Sequence, residues 1–164
     1  MEATQAKWFE AHFGCTLKSV TDQKCGCARD YKIVGLDENT ELPGELNSFV
    51  EFKFDYKASQ TGNLYLEYEQ TFDFGKKYLS SGMKLAVDQS RFIVFSVRYS
   101  DCVHHYVFTN IDMYDILTRK LRTIGTRNGA NGNRPGCWTN GLLLPLKDVE
   151  LFKQIERTSV QTTQ

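Results

Sequence analysis

The run Phe49 to Tyr56, FVEFKFDY, alternates apolar and charged residues through most of its length. In an extended chain successive side chains point to opposite faces, so Val50, Phe52 and Phe54 share one side and Glu51, Lys53 and Asp55 the other. A second extended run, NLYLEYEQ over 63–70, follows after the short connection KASQTG. The Gly62 in that connection predicts a hairpin, with the two strands antiparallel. If it closes symmetrically, with Asp55 opposite Asn63, then Lys53 faces Tyr65 and Glu51 faces Glu67. Two acids that close repel unless a cation or a proton lies between them.

The remaining elements follow from the same kind of reading. YKIVGL offers a brief strand, and RFIVFSVRY and HHYVFTN form a second hairpin across SDCV. Ala6, Trp8, Phe9 and Phe13 sit at helical spacing, with Gly14 as a stop, which predicts a helix over 2–13. NIDMYDILTRKLRTI predicts the clearest helix, capped by Asn110 or Asp112, and KDVELFKQIE predicts a last one. Residues 15–30 carry no clear period, DENTELPGELN is a loop, and FGKKYLSSGMKLAVDQS is mixed, with room for one helical turn. The stretch GTRNGANGNRPGCWTNG is a loop before the short strand LLLPL. This order predicts an α/β fold, a central mixed β-sheet flanked by helices. With 164 residues, 41% of them hydrophobic, a single domain over 1–156 is expected, with 157–164 a frayed tail.

Twenty basic and twenty acidic side chains cancel, so a nucleic-acid partner would have to be met by one basic face and not by net charge. The five cysteines are odd in number and no apolar leader precedes them, which argues against a secreted disulfide scaffold and for the cytoplasm. Cys25 and Cys27 lack the two-residue spacing of a zinc knuckle. No apolar run approaches the roughly 18 residues of a membrane span, so a soluble protein is expected. The adjacent His104 and His105 face opposite ways on a strand, one exposed and one half-buried, without a ligand partner at metal spacing. The glycine-rich RNGANGNRPG neither follows a strand nor ends in the Lys-Ser/Thr of a phosphate loop. As a plain surface loop it needs no role; as an arm carrying Arg127 and Arg134, beside Arg119, Lys120 and Arg122, it could touch a DNA backbone.

The chemistry-bearing set is Asp30, at the entry to YKIVGL, with Glu51 and Lys53. Two carboxylates can hold a divalent ion that polarises a phosphate and lowers the pKa of a bound water. A lysine beside them can neutralise charge building on the phosphate or, once deprotonated, help activate the water. Glu51 and Lys53, two apart, project from one strand face, and the strand after Asp30 is placed to bring the aspartate alongside. Read blandly, Asp30 is a turn residue and Glu51 and Lys53 a solvated strand face.

Asp30 followed by VEFK resembles the signature of the PD-(D/E)XK nuclease superfamily. The continuation DYKASQTGNLYLEYE, together with GKKYLSSGM, RFIVFSV, DILTRKLR and GLLLPLKDV, resembles a small single-domain phage-type subgroup over about residues 28 to 150. Arg29 departs from the proline that the superfamily often has there. The resemblance implies a restriction-endonuclease-like core and metal-dependent endonuclease hydrolysis of DNA. It implies magnesium, with manganese as a substitute, on Asp30 and Glu51, and Lys53 as the catalytic lysine. Glu10 on the opening helix and Glu67 are the candidate helpers, while Asp55 and Glu69 read as strand ends. The trades left open are phage DNA processing, junction cleavage, homing and restriction, in host-cell cytoplasm if phage-encoded, with dimerisation one source of specificity. The rival is a catalytically idle nuclease-fold binding protein, an inhibitor or phage accessory factor.

Overall fold

The strand that organises the molecule is β6 (Phe92–Arg98), whose first six residues are buried without a break. A strand buried at six successive positions needs cover on both faces. Phe92 and Val94 pack into one core with Phe9, Ile33, Val50 and Phe52, whereas Ile93, Phe95 and Val97 pack into a second with Leu64, Leu66, Met113, Ile116 and Leu144. The structure is a computed structural model that describes residues 2–20, 29–72, 77–78, 82–119, 121–127 and 137–152, of which 70–72, 77–78, 122–127, 137–138 and 150–152 as backbone.

β6 lies in a five-stranded sheet of order β1 (Cys15–Ser19), β2 (Tyr31–Leu36), β3 (Phe49–Asp55), β6, β7 (Val103–Thr109). Neighbours are antiparallel except β3 and β6, which run parallel with Val50 opposite Phe92 and Lys53 opposite Phe95. The sheet is therefore mixed and the fold is α/β, helices flanking the sheet. A parallel pair needs a crossover. Here the chain leaves β3 through α2 (Ala58–Thr61), β4 (Asn63–Phe72), β5 (Lys77–Tyr78) and α3 (Met83–Gln89) before returning as β6. β4 and β5 join β8 (Arg122–Arg127) and β9 (Cys137–Pro145) in a second, antiparallel sheet of order β5-β4-β9-β8. α1 (Glu2–Phe13) buries Ala6 and Phe9 in the first core; α4 (Asn110–Thr118) gives Met113 and Ile116 to the second, and α5 (Leu146–Phe152) gives Val149.

The expected hairpin between β3 and β4 does not form. The two strands lie in different sheets, and β3 has β2 and β6 as its neighbours. The reason is local as well as global. The Asp55 carboxylate accepts the backbone N–H groups of Lys57, Ala58 and Tyr65, which winds the connection into the helical turn α2. Gly62, at φ 69°, ends that turn by donating its N–H to the Ala58 carbonyl at 2.8 Å. Leu64 and Leu66 then bury against the Ile93 and Phe95 face of β6, which no partner in the same sheet could provide.

Other elements also differ from the sequence reading. β1 arises in a stretch without period, because only Cys15 of its five residues is buried. The helix from Asn110 stops at Thr118: Arg119 turns extended, at φ −80° and ψ 157°, and 122–127 becomes β8. Thr123, Ile124 and Thr126, all β-branched, suit that strand. α3 runs seven residues and not one turn, and the last strand spans nine. The β6–β7 hairpin, the helix over 2–13 and the loop after β2 stand as expected. Cys25, Cys27 and the 157–164 tail lie outside the described residues.

Candidate active site

β2 pairs with β3 only at Tyr31–Val50 and Lys32–Phe49. One residue further along each strand, Asp30 and Glu51 come opposite each other as that ladder ends. The Asp30 N–H donates to the Val50 carbonyl at 3.1 Å, and its Oδ2 accepts the Phe52 N–H at 2.6 Å. The carboxylate thus stands in for a strand partner that β2 no longer supplies. The β3–β6 register sets Glu51 beside Ile93 and Lys53 beside Phe95, on the sheet face away from Val50, Phe52 and α1.

Glu51 is 3% exposed, an unusual depth for a carboxylate. Its Oε1 accepts a hydrogen bond from the Lys53 ammonium. Its Oε2 is buried and has no hydrogen-bond partner among the described residues. Burial is the main cause that pushes the Glu51 carboxyl up to about 7; the Lys53 charge opposes it, and the Asp30 charge adds to it. Asp30 also raises Glu51 through a side-chain hydrogen bond that needs a proton on one of the two acids. With both ionised there is no proton to share, and Oε2 is left without a partner. A divalent cation can take the proton's place, so the pair fits a metal by its chemistry: hard oxygen donors, two negative charges and one buried oxygen unsatisfied. Among the described residues no group of three or more Asp, Glu, His or Cys gathers at metal spacing. Asp30 and Glu51 are a two-carboxylate set.

The helper acids are elsewhere. Glu10 Oε1 accepts the Leu17 N–H at 2.7 Å and ties α1 to β1 at its bulge. Glu67 lies on β4, opposite Gly141 of the second sheet and not opposite Glu51. Strand alternation turns it from the face on which Leu64 and Leu66 meet β6. Gly82, at φ 58°, packs so close that an added Cβ would stand 2.3 Å from the Glu67 carbonyl oxygen. Asp55 is the acceptor that builds the α2 turn, and Glu69 Oε1 accepts from Asn140 Nδ2 at 3.0 Å. Of the basic set, Arg119 pairs with Asp115 at 2.7 Å on the exposed side of α4. Arg122 and Arg127 lie on β8, an edge strand of the second sheet, with only their backbone described, and Lys120 and Arg134 fall outside the described residues.

Sequence reasoning passed over one group that the structure places behind the site, on the α1 face of β3. Gln5 of α1 is 4% exposed and its Nε2 donates to the Lys53 carbonyl at 3.1 Å and to Ser96 Oγ at 2.5 Å. Ser96 Oγ in turn lies 2.7 Å from His105 Nδ1, and the His105 ring stacks on Trp8 at 4.1 Å. Burial is the main cause that lowers His105 to about 4, with the charges of His104 and His12 adding to it. The only signal in the sequence was Ser96, a lone hydroxyl within the apolar run FIVFSV. Cysteine chemistry is not indicated at Cys15, where burial is the main cause that pushes the thiol up to about 11. No family model, curated protein or solved structure matches this chain. Among the described residues no helix is long and apolar enough to cross a membrane.

Proposed function

We propose that the chain is a metal-dependent DNA endonuclease of the PD-(D/E)XK kind, cutting phosphodiester bonds at the centre made by Asp30, Glu51 and Lys53. The observation that carries this reading is the buried Glu51 carboxyl, with Oε2 unpartnered among the described residues, an ammonium on Oε1 and the Asp30 carboxylate beside it. Burying an acid against an acid costs several kcal/mol by order of magnitude, a cost that packing alone does not require. Asp30 and Glu51 would hold magnesium, or manganese in its place. That ion supplies Lewis-acid polarisation of the phosphate and acidification of a bound water.

The chain's own part is positioning and charge. Asp30 is fixed by the Phe52 N–H, and Glu51 by its place on a central strand. The Lys53 side chain, 34% exposed, reaches from the buried glutamate toward solvent, where a phosphate would approach. Its ammonium there offsets negative charge as the phosphorus gains an oxygen.

The site assignment is tested by Asp30→Asn. An asparagine oxygen can still accept the Phe52 N–H, so the strand end is kept while one negative charge is lost. Metal-dependent cleavage is expected to disappear with DNA binding retained; retained cleavage would show that another acid holds the ion. One observation favours the rival, an idle nuclease-fold binding protein: the described residues offer two carboxylates and no third. That rival predicts DNA or protein binding that is indifferent to Lys53→Ala and no cleavage in any metal.

A further inference from the structure

Gln5, Ser96 and His105 form a chain of polar groups inside the first core, each less than a tenth exposed. Its hydrogen-bond directions can be worked out. The Gln5 amide nitrogen has only protons to give, so it donates to both the Lys53 carbonyl and Ser96 Oγ. The Ser96 hydroxyl therefore accepts from Gln5 and has its own proton left to donate. His105 Nδ1, 2.7 Å away, is where it goes, which requires a neutral ring with its proton on Nε2. The lowered pKa of His105 agrees with that form. The imidazole thus orients the hydroxyl, the hydroxyl orients the amide, and the amide fixes the carbonyl of the lysine that pairs with Glu51. The chain also spans β3, which carries Glu51 and Lys53, and β6 and β7 beyond it, and fastens α1 to them.

We propose that Gln5 and His105 are positioning residues for the Asp30–Glu51–Lys53 centre, His105 acting as a hydrogen-bond acceptor that sets the Gln5 amide and through it the backbone at Lys53. The role rests on the nuclease reading of that centre, and the alternative is that His105 serves only as a flat ring packed on Trp8. Two substitutions separate these. His105→Asn places an amide oxygen near the position of Nδ1 but removes the stack; His105→Phe keeps the stack and removes the acceptor. With the full chain and a DNA that the wild type cuts in magnesium, His105→Phe and Gln5→Leu are expected to lower kcat about tenfold or more at unchanged KM, since small misplacements at a reacting centre cost this much. His105→Asn should stay within about threefold of wild type. The inference is overturned if His105→Phe cuts like wild type, or if His105→Asn is the more damaged of the two.

A second readout needs no DNA. The Lys53 side-chain ammonium, held on Glu51, should give a resolved nitrogen NMR signal in the wild type and in His105→Asn. That signal should move to the position of a free lysine in Gln5→Leu and His105→Phe, with thermal melts confirming that each variant folds. An unmoved Lys53 signal in both variants overturns the inference even if the protein is a nuclease. If the wild type cuts no DNA but the signal follows this pattern, the nuclease reading falls and the positioning of Lys53 stands.

Discussion

Glu51 is where the physics of single residues is most exposed. Its folded-state pKa of about 7 lies above its ordinary 4.5, mainly because the carboxyl is buried. A raised pKa means that the fold prefers the protonated acid, so this contribution to stability is complete below about pH 4.5 and is lost as pH rises through 7. Glu51→Gln cannot ionise. In chelator, its stability relative to wild type should rise with pH, reaching up to about 3 kcal/mol in its favour near pH 8 and closing below pH 4.5. Denaturant unfolding across that range measures it, and parallel curves would contradict the burial argument. That Asp30 comes alongside Glu51 and Lys53 was legible in the sequence: alternation puts the last two on one face, and the loop of about a dozen residues after YKIVGL lets the two strands lie side by side. Gln5 was not. A glutamine on a helix reads as surface until the strand beneath it is known to carry Ser96.

At the scale of elements, the β3–β4 connection shows what a period-2 pattern cannot say. Both strands were visible, but alternation does not specify which sheet a strand joins. Asp55 made the difference: a residue that reads as a wet strand end gathers three N–H groups and turns the chain out of the sheet. Asp55→Ala should destabilise by about 2 kcal/mol, in the range for losing a charged cap, and Asp55→Asn should recover part of that. An unchanged denaturation midpoint for the alanine variant would mean that α2 forms without it. The boundary between α4 and β8 was hidden for a related reason. Leu117, Leu121 and Ile124 continue a helical spacing past Thr118, and only the extended backbone at Arg119 stops it. β1 was hidden because four of its five residues are not buried, leaving no alternation to read.

For the whole molecule, RFIVFSVRY was legible as an apolar strand of a hairpin, and its burial at six successive positions is what shows a sheet covered on both faces. What the run could not reveal is that a second sheet, and not only helices, supplies one of those covers. The result is a centre held between layers: Glu51 is buried, Lys53 reaches from it toward solvent, and Asp30 sits at the ladder's end where its carboxylate replaces a strand. If the chain cuts DNA as proposed, the balance of twenty basic against twenty acidic residues leaves the attraction to local groups, and cleavage should weaken as salt rises. The most direct measurement is incubation of supercoiled, linear and branched DNA with the protein in magnesium or manganese, beside Lys53→Ala and a chelator control. The account predicts cutting of at least one of these DNAs that is lost both in chelator and in Lys53→Ala. Absence of cutting under every condition, or equal cutting by Lys53→Ala, would contradict it.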